Sequence, residues 1–190
     1  MGELPAPEPA AARLQPVFLL GMMGAGKSSV GRALAEASGG VFVDLDRRVE
    51  LMFASSVPQL FELGEGYFRA CERAALKTLV EEPGFAASGA IVATGGGVVV
   101  DAANLHSMAS VGTCVYLDVP VPALVERLSS PVQRAQRPLL GDQATLAQRL
   151  QDLLSAREAA YRGAGLSVSG EGPIDTVAGE ILRLSGRPRP

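Results

Sequence analysis

The sequence contains few of the residues that build disulfide frameworks or transition-metal sites. Its 190 residues include two cysteines, one histidine and no tryptophan. Cys71 lies in a stretch with helical periodicity and Cys114 in an apolar, strand-like run, so the two lack the paired spacing of a zinc site. We therefore expect two buried thiols in a reducing compartment, and neither a disulfide framework, a His-rich centre nor a Ser-His-Asp triad.

Long apolar runs and an excess of basic charge are also absent. No apolar run approaches the ~20 residues of a membrane-spanning helix, and segment 1–15, rich in Ala, Pro and Glu, lacks the pattern of a signal peptide. The formal net charge of −3 provides no general attraction for nucleic acid or anionic membranes. These features predict a cytoplasmic protein with small-molecule partners, no nucleic acid and no membrane, which must bind anions through locally placed cations.

Apolar, strand-like runs alternate with helical stretches along most of the chain. The runs lie at 17–20, 41–43, 90–94, 113–117 and 166–168. Strands that are apolar throughout and separated by helices predict an α/β domain whose parallel sheet is covered on both faces. We expect one domain over 16–184, a disordered N-terminal tail at 1–15 and an unstructured C-terminal tail at 185–190. Ligands bind such sheets beyond the carboxyl ends of the strands.

A complete phosphate-binding motif follows the first run. Residues Gly21 to Ser28 fit G-x-x-x-x-G-K-S, between an apolar strand and a helix. In this motif backbone N–H groups surround phosphate oxygens, the lysine reaches the β- and γ-phosphates, and the serine hydroxyl can bind Mg²⁺. A chance glycine-rich turn is the alternative, but Lys27 is one of only two lysines in the chain. The motif predicts an ATP site formed by Gly24, Ala25, Gly26, Lys27, Ser28 and Ser29.

The second run ends in an acidic pair, Asp44 and Asp46. Because side chains two positions apart on a strand point the same way, both carboxylates should face the phosphate-binding loop. One can hold Mg²⁺ or its waters, and the other can accept a proton from a substrate hydroxyl. An acidic helix N-cap looks the same in sequence and is the alternative.

Two further motifs suggest a site for a second ligand. Arg69 and Glu72 are spaced to pair on a helix, either as an ordinary surface ion pair or as a carboxylate-binding arginine held by its glutamate. Gly95, Gly96 and Gly97 follow the third run, where they predict either a flexible loop or close backbone approach to a substrate.

The polar segment 129–142 is predicted to be a mobile lid. It carries Arg134 and Arg137, and an arginine on a lid can neutralise a transferring phosphoryl group; a solvated basic loop is the alternative. The helix predicted to follow, at about 146–161, contains Arg157, which in isolation is more typical of a solvated helical position than of a ligand.

Taken together, these motifs resemble those of the shikimate kinases. The resemblance spans about 17–184 and includes the phosphate-binding loop, D-x-D, F-R-x-x-E, G-G-G, R-P-L-L at 137–140 and R-x-x-x-Y at 157–161. It implies a P-loop fold with a five-stranded parallel sheet and a lid. It also implies transfer of the γ-phosphoryl of ATP to shikimate, giving 3-phosphoshikimate, with Mg²⁺ as cofactor and a monomeric enzyme.

The resemblance also implies individual roles. Asp46 would bind the substrate hydroxyls and act as general base or orienter, and Lys27 and Arg137 would stabilise the phosphates. Ser28 would bind Mg²⁺ and Asp44 its water. The carboxylate and ring hydroxyls of shikimate would be bound by Arg69, Gly96 and Arg157, with support from Glu72, Gly95 and Gly97.

Two departures and two alternatives remain. The lid is slightly long, which leaves Arg134 without a role, and 169–173, where the family usually surrounds adenine, has no basic side chain. A related small-metabolite kinase, such as a gluconate or nucleoside-monophosphate kinase, would not need F-R-x-x-E together with G-G-G. A non-catalytic ligand sensor would be expected to lack catalytic residues that are present here.

Overall fold

A computed structural model describes residues 14–129 and 144–187 of the chain. The predicted lid lies outside these ranges except for Ser129, and so do Arg134, Arg137, most of the N-terminal tail and half of the C-terminal tail. The roles predicted for the two lid arginines therefore stay predictions.

Five parallel strands form one sheet, which confirms the predicted fold class. The strands are β1 (Val17–Leu20), β2 (Phe42–Asp44), β3 (Ile91–Ala93), β4 (Thr113–Asp118) and β5 (Leu166–Ser169). Their order is β2-β3-β1-β4-β5, and every neighbouring pair is parallel. All four residues of β1 are buried, as expected for a central strand covered on both faces.

Helices connect the strands and cover the sheet. They are α1 (Lys27–Ser38), α2 (Leu45–Phe53), α3 (Val57–Glu62), α4 (Glu65–Val80), α5 (Ala102–Val111), α6 (Val121–Leu128), α7 (Leu146–Gly163) and α8 (Ile174–Leu184), with short 3₁₀ turns at Phe85–Ala87 and Val98–Val100. No helix in the described ranges is long and apolar enough to cross a bilayer. Cys71 and Cys114 are buried and free, as predicted.

Local signals set the ends of the helices around the sheet edge. Gly26 and Gly39 flank α1 with φ of 93° and 65°, a left-handed conformation that glycine adopts without steric cost. Asp44 caps α2, because its side chain accepts a hydrogen bond from the backbone N–H of Arg47. Asp46 therefore lies in the first turn of α2, and the prediction that the acidic pair alternates along a strand is wrong.

The chain packs against the domain beyond residue 184. Arg187 is 8% exposed, and its guanidinium donates hydrogen bonds to the carbonyl oxygens of Gly89, at 2.9 Å, and Gln15. Leu14 pairs with Ser88 in an isolated parallel bridge, next to the same contact. The three segments before β1, before β3 and after α8 are thus joined at the amino end of the sheet, and the segment from 185 to Arg187 belongs to the domain.

Replacing Arg187 should therefore destabilise the protein. Arg187→Ala leaves the buried Gly89 carbonyl, and that of the exposed Gln15, without their charged donor, and we expect the free energy of unfolding to fall by about 2 kcal/mol. For a chain of this size the melting temperature should fall by roughly 4–8 °C, measured by differential scanning calorimetry. Arg183→Ala, at an exposed position in the last turn of α8, is the control; an equal loss in both variants would contradict the proposed contact.

Candidate active site

The carboxyl edge of the sheet opens into a cavity of about 590 Å³. The phosphate-binding loop lies after β1, the acidic pair at the end of β2 and the glycine triplet after β3. All the predicted site residues within the described ranges line this cavity. They are Gly24, Ala25, Gly26, Lys27, Ser28, Ser29, Asp44, Asp46, Arg69, Glu72, Gly95, Gly96, Gly97 and Arg157.

The phosphate-binding loop has the backbone that its glycines allow. Gly24 and Gly26 have φ of 80° and 93°, and α1 begins at Lys27 without a side-chain cap. The amide groups of its first turn are therefore available to an anion, which the helix dipole also favours. Lys27 Nζ donates to the carbonyl oxygens of Gly21 and Met22 at 2.8 and 2.9 Å. The ammonium group therefore lies inside the phosphate-binding loop, where bound phosphates would also lie.

Ser28 and Asp44 bring two oxygen ligands together beside Lys27. The Ser28 hydroxyl donates to Asp44 Oδ2 at 2.9 Å, while Asp44 Oδ1 accepts from the Arg47 amide at 3.3 Å. Asp44 therefore caps a helix, as the alternative interpretation has it, and also lines the cavity, so its role at a metal ion stays a prediction. A hydroxyl and a carboxylate suit Mg²⁺, which takes few protein ligands when phosphates and waters supply the rest.

Asp46 is a half-buried carboxylate with an open acceptor. Its Oδ1 atom is buried and has no hydrogen-bond partner among the described residues. Burial, and then the charge of Asp44, raise the pKa of Asp46 above its ordinary value, although Lys27 and Arg69 oppose this shift. A carboxylate with a raised pKa and a free oxygen in a cavity can accept a proton from a hydroxyl group.

Arg69 and Glu72 form an ion pair that is partly enclosed in the protein. Glu72 is fully buried, and its Oε2 atom accepts from Arg69 Nη1 at 2.9 Å. Glu65 holds the other side of the guanidinium at 3.0 Å, and the ring of Phe68 lies 5.1 Å from it. Burial raises the pKa of Glu72, and the charge of Arg69 opposes that shift. The alternative of an ordinary surface ion pair is wrong, since one partner is enclosed in the protein.

The glycine triplet is packed too tightly for side chains. A Cβ atom on Gly95 would overlap the Glu72 carboxylate, and one on Gly97 would overlap the Arg69 guanidinium. The carbonyl oxygen of Gly96 accepts from Arg157 Nη1 at 3.3 Å and from the Tyr161 hydroxyl. The alternative of a flexible loop therefore does not describe this segment.

Arg157 is buried, with 6% of its surface exposed. The expectation that this residue occupies a solvated helical position is wrong, because α7 turns it inward toward the glycine triplet. Its guanidinium lines the same cavity as Arg69.

No motif in the sequence singles out Arg127. From the last turn of α6, its guanidinium donates to the carbonyl oxygens of Gly24 and Ala25, both at 3.3 Å, and to that of Gly170 at 3.1 Å. It therefore joins the phosphate-binding loop to the segment after β5, which itself has no basic side chain. Only the tertiary contact between α6 and these loops identifies it.

The raised pKa of Asp46 predicts how the stability of the protein changes with pH. Above that pKa the native state holds a charge that its surroundings disfavour, whereas below about 3.8 the group is protonated in both the native and the unfolded state. Asp46→Asn should therefore raise the free energy of unfolding at pH 7 by roughly 1 kcal/mol, and the gain should shrink as the pH falls toward 4.

The measurement is the denaturation midpoint of the two proteins from pH 4 to pH 8. Asp44→Asn is the matched control, because this neighbouring carboxylate is hydrogen-bonded by Ser28 and by the Arg47 amide. A control that gains as much stability as Asp46→Asn, or a gain that does not depend on pH, would refute the assignment.

Comparison with known proteins identifies the family. The family model described as shikimate kinase matches residues 23–184. Shikimate kinase 2 of Salmonella schwarzengrund, strain CVM19633, is 38% identical over 150 residues, which cover 78% of this chain and 79% of that protein. The solved structure of shikimate kinase from Acinetobacter baumannii in complex with shikimate has 34% identity and a TM-score of 0.83, and the match covers 91% of this chain and 93% of that one.

A more distant likeness concerns the fold alone. A gluconokinase from Sinorhizobium meliloti 1021 superposes with a TM-score of 0.58 at 18% identity, over 93% of this chain and 94% of that one. Since the family model covers most of the chain and the relatives match over more than two thirds of it, the chain belongs to the shikimate kinase family.

Proposed function

We propose that the protein transfers the γ-phosphoryl group of ATP to the 3-hydroxyl of shikimate, giving 3-phosphoshikimate and ADP. The observation that supports this most directly is a single cavity that joins a phosphate-binding loop to a half-buried carboxylate and two inward-facing arginines. A volume of about 590 Å³ lies in the range of small-molecule sites. The cavity therefore has room for the phosphates of a nucleotide next to a small acid.

The nucleotide occupies the end of the cavity formed by α1. Backbone amides of Gly24 to Ser29 and the start of α1 bind the phosphates, and Lys27 exchanges its loop carbonyl contacts for phosphate oxygens. Beyond the loop, Arg127, Gly170 and Ile174 continue the lining, and we place the adenine base there. Backbone and apolar contacts then replace the basic side chain that segment 169–173 lacks.

Ser28 and Asp44 are the residues that would hold Mg²⁺. The described residues contain no cluster of three or more His, Cys, Asp or Glu side chains that could hold a metal on its own, which fits an ion bound mainly by phosphates and water. When bound, Mg²⁺ neutralises charge on the β- and γ-phosphates.

The acceptor occupies the opposite end. Arg69 and Arg157 bind the carboxylate of shikimate, with the Gly96 backbone beneath the ring, and Glu72 fixes the guanidinium of Arg69. Asp46 accepts a hydrogen bond from the reacting hydroxyl and takes its proton as the hydroxyl oxygen bonds to the γ-phosphorus. The bond from that phosphorus to the bridging oxygen breaks, and the oxygen leaves on ADP. Phosphoryl transfer needs mainly positioning and charge stabilisation, and these contacts supply both. We propose that Arg137 adds its positive charge from the lid.

The same site separates the alternatives. A gluconate kinase would also bind a carboxylate, so the buried Glu72 that orients Arg69 does not by itself exclude it. What a gluconate kinase does not need is the combination of F-R-x-x-E with G-G-G, and here Gly95 and Gly97 lie against Glu72 and Arg69. Lys27, Ser28 and Asp46 all line the cavity, as a catalyst requires. We also propose a monomer in the cytoplasm, where two free, buried thiols are expected.

The reaction is tested by measuring ADP release with ATP and Mg²⁺ in the presence of shikimate, gluconate or a panel of nucleoside monophosphates. We expect strong stimulation by shikimate alone. Turnover with a different acceptor would replace the substrate. If shikimate binds in calorimetry without any turnover, the sensor becomes the better explanation.

The carboxylate site is tested by Arg69→Lys. This change keeps a positive charge beside Glu72 but removes the planar fork that binds a carboxylate through two bonds, so KM for shikimate should rise at least about tenfold while KM for ATP changes little.

Arg73→Lys is the matched control. It lies one turn further along α4, half exposed, and pairs with Asp101 outside the cavity. If both substitutions change KM for shikimate equally, or if neither does, Arg69 does not bind the substrate.

A further inference from the structure

Tyr161 is a buried residue of α7 that the proposed reaction leaves without a role. Its side chain is fully buried, and its hydroxyl donates a hydrogen bond to the carbonyl oxygen of Gly96. The same hydroxyl lies 3.8 Å from the sulfur of Met22 in the phosphate-binding loop. Tyr161 therefore contacts both halves of the site from beneath, without lining the cavity itself.

The aromatic ring of Tyr161 is held in place by a second tyrosine. It stacks on Tyr116 of β4 with ring centroids 4.9 Å apart and planes 3° from parallel. Tyr116 in turn donates to Asp118 at 3.2 Å, and Arg162 binds the same carboxylate at 2.7 Å. This packing fixes the position of the Tyr161 hydroxyl, and burial raises its pKa to about 12, so it remains a donor at all physiological pH values.

The Gly96 carbonyl is held differently from those of its neighbours. The carbonyl oxygens of Gly95 and Gly97 accept from the backbone amides of Val98 and Val100, whereas that of Gly96 accepts from side chains of α7. A glycine has no side chain of its own with which to anchor the segment. The second donor to this carbonyl is Arg157 Nη1, at the longer distance of 3.3 Å. If Arg157 also binds the substrate carboxylate, its guanidinium can lose its hydrogen bond to Gly96. A second donor is then needed, because a buried carbonyl without a hydrogen-bond partner is costly.

We propose that Tyr161 is a positioning residue for the acceptor: its hydroxyl holds the Gly96 carbonyl, which keeps the glycine loop in place and leaves Arg157 available to the substrate carboxylate. This inference rests on the proposed function. A carbonyl oxygen has two lone pairs, so Tyr161 and Arg157 can donate to it together before the substrate arrives. Tyr161 then maintains the contact when the guanidinium turns to the anion.

Tyr161→Phe tests the proposal, because it removes one hydroxyl and keeps the ring on its stacking partner. We expect the shikimate Kd from calorimetry and KM for shikimate to rise by about tenfold, the effect of losing one well-placed hydrogen bond. KM for ATP should stay within about twofold and kcat within about threefold, since the phosphate-binding loop keeps its own hydrogen bonds.

Tyr116→Phe is the matched control. It removes a hydroxyl from the other ring of the same stack, where the bond goes to Asp118 and not to the glycine loop. We expect its shikimate Kd to stay within about twofold of the wild-type value, whatever the change in melting temperature.

Two results would overturn the proposal: an unchanged shikimate Kd in Tyr161→Phe, or an equal rise in both variants, which would indicate general loosening of the stack. The proposed function fails separately, if wild-type protein releases no ADP in response to shikimate. Calorimetry without ATP still compares the variants in that case.

Discussion

The acceptor half of the site depends on the charge of Glu72, which is enclosed in the protein and must be compensated. Arg69, one turn before Glu72 on the same helix, supplies the compensation at 2.9 Å. A buried pair of this kind is costly to break, because removal of one partner leaves an unpaired charge. The pair also excludes side chains from its surroundings: Gly95 lies against the carboxylate and Gly97 against the guanidinium. The absence of side chains at Gly95 and Gly97 thus matches the space that the ion pair leaves, while Gly96 lies against the backbone of the phosphate-binding loop.

The cations of the site differ in how firmly they are held. Arg69 is bound by two carboxylates, Glu65 and Glu72, and is therefore fixed before any ligand arrives. Lys27 and Arg157 donate instead to backbone carbonyl oxygens, of Gly21 and Met22 in one case and of Gly96 in the other. A phosphate or carboxylate oxygen is a stronger acceptor than a carbonyl. An anion could therefore compete with the backbone for these two cations, which is how a chain with a net charge of −3 would bind the two anionic substrates of the proposed reaction.

Local chemistry explains which parts of this arrangement were predictable from sequence. The phosphate-binding loop was predictable because its glycines and lysine act within eight consecutive residues, and the parallel sheet followed from apolar runs between helices. The placement of Asp46 was not, since Asp44 caps α2 and thereby ends the strand two residues earlier than alternation requires. The inward orientation of Arg157, the bridge made by Arg127 and the anchoring of Arg187 all depend on contacts between distant segments. A pattern of nearby residues carries no information about such contacts.

The likeness to a gluconokinase at 18% identity concerns the fold alone, that is, the sheet and the helices around it. In this chain the proposed nucleotide half and acceptor half meet at the carboxyl edge of that sheet. The acceptor half is built from the buried pair on α4, the glycine triplet after β3 and the inward side of α7. Its polar contacts are enclosed and interdependent, so a single substitution would leave a buried charge or carbonyl without its partner. A change of acceptor therefore requires several coordinated changes at this end of the cavity, while the nucleotide end can remain as it is.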